Sequence, residues 1–175
     1  MGAGVLSLMS YAMRPGFQKN RDTVSGRIFS IHRFQHLNPR TGYVYHATVW
    51  LDEFDSMGML HNNRYAVHVE RASSEWLRTA KGLDPSDFFI AIKAHETEFT
   101  APFTGEGSTL SVRLTLKRVG TTSMTVGFHC LSLSADGTGT LHARGTRTMV
   151  KISPSDGRPA PWSIAFRSAV TGEPA

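Results

Sequence analysis

Asp55 stands in a short polar stretch, Asp55-Ser56-Met57-Gly58-Met59-Leu60-His61-Asn62-Asn63, that runs directly into an amphipathic segment ending near Lys81. A carboxylate placed there lies beside a helix N-terminus, where the first backbone N–H groups lack intrahelical acceptors and the dipole favours negative charge. That combination suits attack on a carbonyl: the acid supplies a nucleophile or a base, and the amides stabilise the oxyanion that develops. Taken alone, an acid before a helix is more often an Asx-turn or capping residue. Gly58, Asn62, Tyr65 and the helix following in register turn the reading towards function. Gly58 answers either a backbone conformation open to glycine or the close approach of a substrate.

The elements that must position this acid follow from periodicity. Tyr65, Val69, Ala72, Ser73, Trp76 and Ala80 recur at spacings that stack on one helical face, and Arg64, His68, Arg71, Glu75 and Arg78 take the other. Asn62 and Asn63 are natural caps and Gly82 a natural stop, so a helix is predicted from Asn62 or Asn63 to about Lys81. Glu70 falls on the flank of the apolar stripe near Ala66 and Leu77, and is expected to be partly buried. Tyr65 reads as core or pocket lining.

Upstream, residues 1–24 read as a flexible arm with a turn at Arg14-Pro15-Gly16, and Ser25 to His32 as a short strand. Tyr43 to Leu51 predicts a strand with Tyr45, Ala47, Val49 and Leu51 on one face. After the helix, Leu83-Asp84-Pro85-Ser86 breaks the chain, and strands are expected at Phe88 to Thr100, Leu110 to Val119, Ser123 to Ser134 and Leu141 to Ile152. Gly120-Thr121-Thr122 and Asp136-Gly137 mark the hairpin turns, and a phase break near Gly145 suggests a bulge. One helix followed by hairpin-linked strands is an α+β pattern, an antiparallel sheet with a helix on one face. The folded domain is assigned to residues 25–162 and residues 163–175 to a tail.

Composition bounds the answer. A chain of 175 residues with 40% hydrophobic content has the size of one domain that buries roughly 70% of its unfolded surface. Cys130 lies in an apolar run and is expected to be a buried thiol in a reducing, cytoplasmic compartment. No run reaches the length of a membrane span, and Met1 to Met13 lacks the basic start and long apolar core of a secretory signal. The formal charge of +5 comes from scattered Lys and Arg with no nucleic-acid motif, so no nucleic acid is expected as partner. The His residues are dispersed, and His95-Glu96-Thr97-Glu98 lacks the second His of the zinc-protease motif. No Gly-x-Ser-x-Gly elbow is present.

The acid loop and helix resemble the corresponding segment of the 4-hydroxybenzoyl-CoA thioesterase family of hotdog-fold acyl-CoA thioesterases. The matching positions are Asp55, Gly58, Asn62, Tyr65 and Glu70, with Glu53 where members often carry another acid. The likeness continues through Glu98 to Pro102, Val119 to Ser123 and Asp156 to Pro161, and departs at Met59 and His61, where many relatives carry His and Asn. It implies a hotdog fold, an antiparallel β-sheet wrapped around one long central α-helix, assembled as a homodimer or homotetramer with the site between subunits. It implies hydrolysis of an acyl-CoA thioester without a cofactor, Asp55 acting as nucleophile or base and the backbone N–H of Asn62 or a close neighbour polarising the carbonyl.

The same resemblance assigns Gly58, His61, Asn63, Tyr65 and Glu70 to the substrate-binding surroundings. Glu70 has two readings, an alternative base or an ion-pair partner for an Arg across a dimer interface. His61 is either a contact to the acyl group or a bystander. Arg113, Lys117 and Arg118 either meet coenzyme A phosphates at the pocket mouth or belong to a solvated sheet edge. Two rivals stand beside the hydrolase: a catalytically silent module that binds acyl-CoA, and a hotdog hydratase or dehydratase. The latter typically shows Asp-x-Asn-Pro-x-His, and Asp55 and His61 are one position too far apart for it.

Overall fold

Alternating apolar residues build the sheet, and the computed structural model, which describes residues 42–79, 83–105, 109–133 and 139–172, shows five strands and two α-helices in those residues. In chain order they are β1 (Tyr43–Thr48), α1 (Asn62–Thr79), β2 (Ile90–Phe99), β3 (Thr109–Val119), β4 (Ser123–Leu133), β5 (Gly139–Lys151) and α2 (Ile164–Thr171). The strands form one antiparallel sheet in the order β1-β3-β4-β5-β2. A single row of paired residues, Tyr45, Val112, Cys130, Ala143 and Phe99, crosses the sheet from one edge to the other.

Period-two patterning decides which face is buried. Leu110, Val112 and Leu114 of β3, and Met124, Val126, Phe128 and Cys130 of β4, form one core with Val69, Ala72 and Trp76 of α1. Arg113 and His129 point to the other face, where they are exposed. The helix packs chiefly over β1 and β3. This is the α+β, hotdog arrangement expected from the sequence.

Cys130 is fully buried, and burial pushes its thiol up to about 12. The expected strand at Ser25 to His32, the N-terminal arm, the Asp136-Gly137 turn and the last residues of the expected helix lie outside the described residues.

Three expectations need correction. The C-terminal tail expected from residue 163 is folded over residues 163–172, where Ser163 caps α2 by accepting the Phe166 N–H at 3.0 Å, and Phe166 and Val170 enter the core. Trp162 stacks on Phe166 with ring centroids 4.0 Å apart. Leu51 does not share the inward face of β1, because the strand ends at Thr48 and a 3₁₀ turn, Leu51–Glu53, leaves that side chain exposed.

Gly145, third, is not a bulge. It keeps register with Thr97 and Phe128, and the shifts fall instead at Ile92/Ala94, Leu116/Arg118 and Cys130/Leu131. A Cβ at Gly145 would overlap the Glu96 carbonyl oxygen and stand 2.8 Å from the Phe128 ring, which lies across the glycine. Gly145→Ala is therefore expected to lower stability by about 3 kcal/mol, the upper end of ordinary overpacking, as read by urea denaturation. An unchanged midpoint would show that the β2 backbone at Glu96 and the Phe128 ring can both give way.

Candidate active site

The Asp55 loop is a closed structure rather than a free tether. Phe54 and Leu60 pair as an antiparallel bridge, and the Asp55 N–H donates to the Met59 carbonyl at 2.8 Å. The Asp55 carboxylate, partly buried, accepts the N–H groups of Met57 at 2.9 Å and Met59 at 3.0 Å, both on Oδ1. Its Asx-turn geometry and its place before the helix are thus both present, with Oδ2 outside the hydrogen bonds found among the described residues.

Gly58 sits at φ +74°, and no atom lies within 4 Å of the place a Cβ would occupy. Of the two reasons to expect glycine here, backbone conformation is the one this geometry carries. Gly58→Ala is expected to lose about 1–2 kcal/mol, the penalty of a left-handed L-residue. Equilibrium unfolding measures it.

The helix begins where the spacing predicted, at Asn62, but the cap position falls on His61, whose carbonyl accepts the Arg64 N–H at 2.8 Å. Asn62 and Asn63 therefore occupy the first turn, exposed, with amides that precede any i−4 acceptor. Tyr65 is buried against the edge of Phe99, ring centroids 5.4 Å apart. Burial pushes its hydroxyl up to about 12, Cys130 adding to the effect and a backbone hydrogen bond from Phe103 opposing it. It stays a neutral phenol and lines the space between α1 and β2.

The far wall of the loop is residues 100–103. The Phe103 carbonyl accepts the Leu60 N–H at 2.8 Å, and its ring lies over that of Phe54. His142 of β5 holds this segment, with Nδ1 3.1 Å from the Pro102 carbonyl oxygen and Nε2 2.7 Å from Ser132 Oγ. Carbonyls only accept, so we assign the ring proton to Nδ1 and let the Ser132 hydroxyl donate to Nε2. The sequence offers no local signal for His142, whose role depends on strands paired late in the chain.

One acid and one imidazole sit elsewhere than expected. Glu70 is not partly buried: its side chain is 66% exposed, and it accepts a 2.8 Å hydrogen bond from Arg147, a buried residue of β5 in the same chain. The exchange arises because Arg147 rises from the helix-facing side of the sheet and meets the helix flank from below. Glu53, matched above only by resemblance, is 4% exposed, and His68, expected on the charged face of the helix, is wholly buried against it. The 3₁₀ turn before the acid loop covers that flank of α1, which no periodicity within the helix can reveal.

His61 presents an exposed side chain, while its N–H donates to the Glu53 carbonyl at 2.9 Å. Arg113 and Lys117 stand on the sheet face turned away from α1, and Arg118 is exposed at the end of β3. Asp55 and Gly58 share one closed loop, Asn62 and Asn63 open α1 a few residues on, and Tyr65 packs inward against Phe99, while Arg113 and Lys117 stand on the opposite face of the sheet. Lys117 instead borders an open cleft of about 460 Å³ on the outer face, with Glu96, Glu98, His129 and Arg144 around it. Glu98 and Arg144 are joined there by two hydrogen bonds of 2.8 and 2.9 Å. Among the described residues no three of His, Cys, Asp and Glu come together as a metal site, and no helix is long and apolar enough to cross a membrane.

Residues 49–170 match the family model of the thioesterase-like superfamily. Comparison with curated proteins gives no match. Among solved structures, the fold is similar to that of a 1,4-dihydroxy-2-naphthoyl-CoA thioesterase from Synechocystis, at TM-score 0.62 and 22% identity over 73% of this chain and 94% of the other. It is similar to the Dynemicin thioesterase, at 0.63 and 19% over 75% and 96%, and to a thioesterase-superfamily protein from Jannaschia sp. CCS1, at 0.66 and 20% over 74% and 81%. At these identities the structural likeness concerns the fold.

Proposed function

The chain belongs to the thioesterase-like superfamily, and from that premise we propose that it hydrolyses an acyl-CoA thioester to the free acid and coenzyme A, in the manner of the 4-hydroxybenzoyl-CoA thioesterase family. Asp55 is the reacting acid. The observation that supports this reading is that the Met57 and Met59 N–H groups both bind Oδ1 and leave Oδ2 outside the hydrogen bonds found among the described residues, on a loop that runs into α1 at Asn62.

Either Asp55 attacks the thioester carbon directly, giving a mixed anhydride that water then cleaves to release the free acid and restore the carboxylate, or it takes the proton of a water that attacks the thioester carbon itself. In both cases the C–S bond breaks, coenzyme A leaves as thiolate and takes up a proton, and the carbonyl oxygen carries charge in the tetrahedral state. The backbone N–H of Asn62 faces that charge, a donor of a kind worth roughly 10²–10³ in rate. No cofactor enters this scheme.

The acid loop is rimmed by exposed apolar side chains, Trp50, Leu51 and Met57, and the β2 edge by Phe88, Phe89, Ile92 and Phe99. A second copy pairing along β2 covers the latter group, which supports a homodimer as the working unit. Ile92→Asp is expected to shift the solution mass from dimer towards monomer, as read by light scattering.

Free-thiol release from aliphatic and aromatic acyl-CoAs tests the hydrolase. Turnover of any member above background supports it. Binding without turnover across the panel would favour the silent acyl-CoA-binding module, for which the Asx-turn hydrogen bonds of Asp55 are the supporting observation.

A further inference from the structure

We propose that Glu53 and His68 form a buried strut that positions the acid loop, fixing where Asp55 stands relative to the first amides of α1 without touching the substrate. The inference rests on the reading of Asp55 as the reacting acid. Glu53 lies two residues before Asp55, and each part of it is engaged. Its Oε2 accepts the Trp50 N–H at 3.1 Å, its backbone carbonyl accepts the His61 N–H at 2.9 Å, and its Oε1 stands 3.2 Å from His68 Nε2 and 4.0 Å from Arg71. The chain from Phe54 to His61 is thus spanned between two attachments made by one residue. One attachment is to the start of α1, and the other is about two turns further along it.

The character of His68 supports a role beyond filling space. Its ring is inaccessible to solvent, and neither nitrogen makes a well-aligned hydrogen bond among the described residues, although Nε2 is within contact distance of the carboxylate. Burial lowers its basicity, Glu53 opposing and Arg71 and Arg64 adding to the effect, so the imidazole is neutral at pH 7. With the proton on Nε2 facing Glu53, Nδ1 is left as an orphaned acceptor. A leucine would pack in the same slot without an orphan. What the imidazole adds is a polar N–H 3.2 Å from the one buried carboxylate that anchors the acid loop.

Positioning of this kind bears on kcat, since a misplacement near 1 Å can reduce rate by about 10²-fold. The test compares His68→Gln, His68→Leu and the Glu53→Met/His68→Leu double variant by kcat, KM, thermal midpoint and amide exchange. His68→Gln, whose amide N–H can replace the ring donor, is expected to keep kcat within about threefold, while His68→Leu loses at least about tenfold with KM nearly unchanged. In the double variant the unpaired buried charge is gone, so the midpoint returns to within a few degrees of wild type while kcat stays low.

A kcat that recovers together with the midpoint in the double variant, or one unaffected in His68→Leu, would overturn the proposal. Amide exchange decides independently of turnover. The Met59, Leu60 and His61 amides are expected to exchange at least about tenfold faster in His68→Leu, with those of β3 and β4 unchanged. A protein that hydrolyses no acyl-CoA fails the functional reading, and the exchange result still establishes or removes the strut.

Discussion

Asp55→Asn is expected to lower kcat for acyl-CoA hydrolysis by about 10²–10⁴-fold, the range lost with a general base, while leaving the fold intact. The second half of that expectation is specific to this loop. Asn keeps an Oδ1 that can accept the Met57 and Met59 N–H groups at the same 2.9 and 3.0 Å, so the turn survives and only the reactive charge is removed. Thermal midpoint and acyl-CoA binding should therefore match wild type, and the loss should appear in kcat. Asp55→Ala should differ, losing the turn as well as the charge. Full activity in Asp55→Asn would remove this residue from the chemistry, and an equal fall in stability would make it a structural cap.

Asp87→Ala should be the most damaging single change to stability away from the site, at about 3–5 kcal/mol, the loss seen when one partner of a buried ion pair is removed. Asp87 and Lys151 are both buried, with Nζ 2.7 Å from Oδ1. Asp87 also accepts the Ser163 N–H at 3.1 Å and the Ser163 hydroxyl at 2.5 Å. One carboxylate thereby joins the 3₁₀ turn Pro85–Phe88, the end of β5 and the cap of α2.

Burial opposes ionisation of this group, yet the hydrogen bonds from Lys151 and Ser163 prevail and hold its carboxyl below the ordinary value. A folded-state value below the unfolded one, which is near 3.9, means that the unfolded chain binds the proton more readily. The stabilisation is then complete above about pH 4 to 5 and is lost as pH falls through the folded value. Urea unfolding of wild type and Asp87→Ala should show a wide gap at pH 7 that narrows towards pH 3. A gap constant with pH would assign the loss to packing alone.

Elements whose partners are local were legible in the residues; those defined by distant chain were not. Val112, Leu114 and Leu116 alternate against Arg113, Thr115 and Lys117, and β3 lies where that alternation places it. The start of α1 was legible in Asn62, because a polar pair before an apolar stripe has one common reading. His68 was not, since it is covered by a turn nine residues before the helix starts, and a helical wheel contains no information about that neighbour. A strand-interior glycine at 145 suggested a bulge, and only the neighbouring strands, with the Glu96 carbonyl and the Phe128 ring pressed against it, show a close approach instead. The C-terminal helix is short, and its apolar pair Phe166 and Val170 lies too close to Pro159 and Pro161 to stand out as a periodic segment.

The candidate site divides in the same way. Asp55, Gly58, Asn62 and Tyr65 are near neighbours in sequence and fall on one loop and the first turn of the helix it enters. Arg113, Lys117 and Arg118 were drawn in by charge alone, and the pleat sends Arg113 and Lys117 to the opposite face. Glu53 carried one signal, its match to a position where members of the resembling family often carry a second acid, but nothing local separates it from Asp52 beside it.

Cys130 leaves the protein with a built-in clock. Its sulfur is sealed beneath the sheet and protonated far beyond neutral pH, so a maleimide or iodoacetamide can reach it only when the core opens. As the single cysteine of the chain, it makes mass spectrometry of one alkylation event a direct record of how often the native state comes apart.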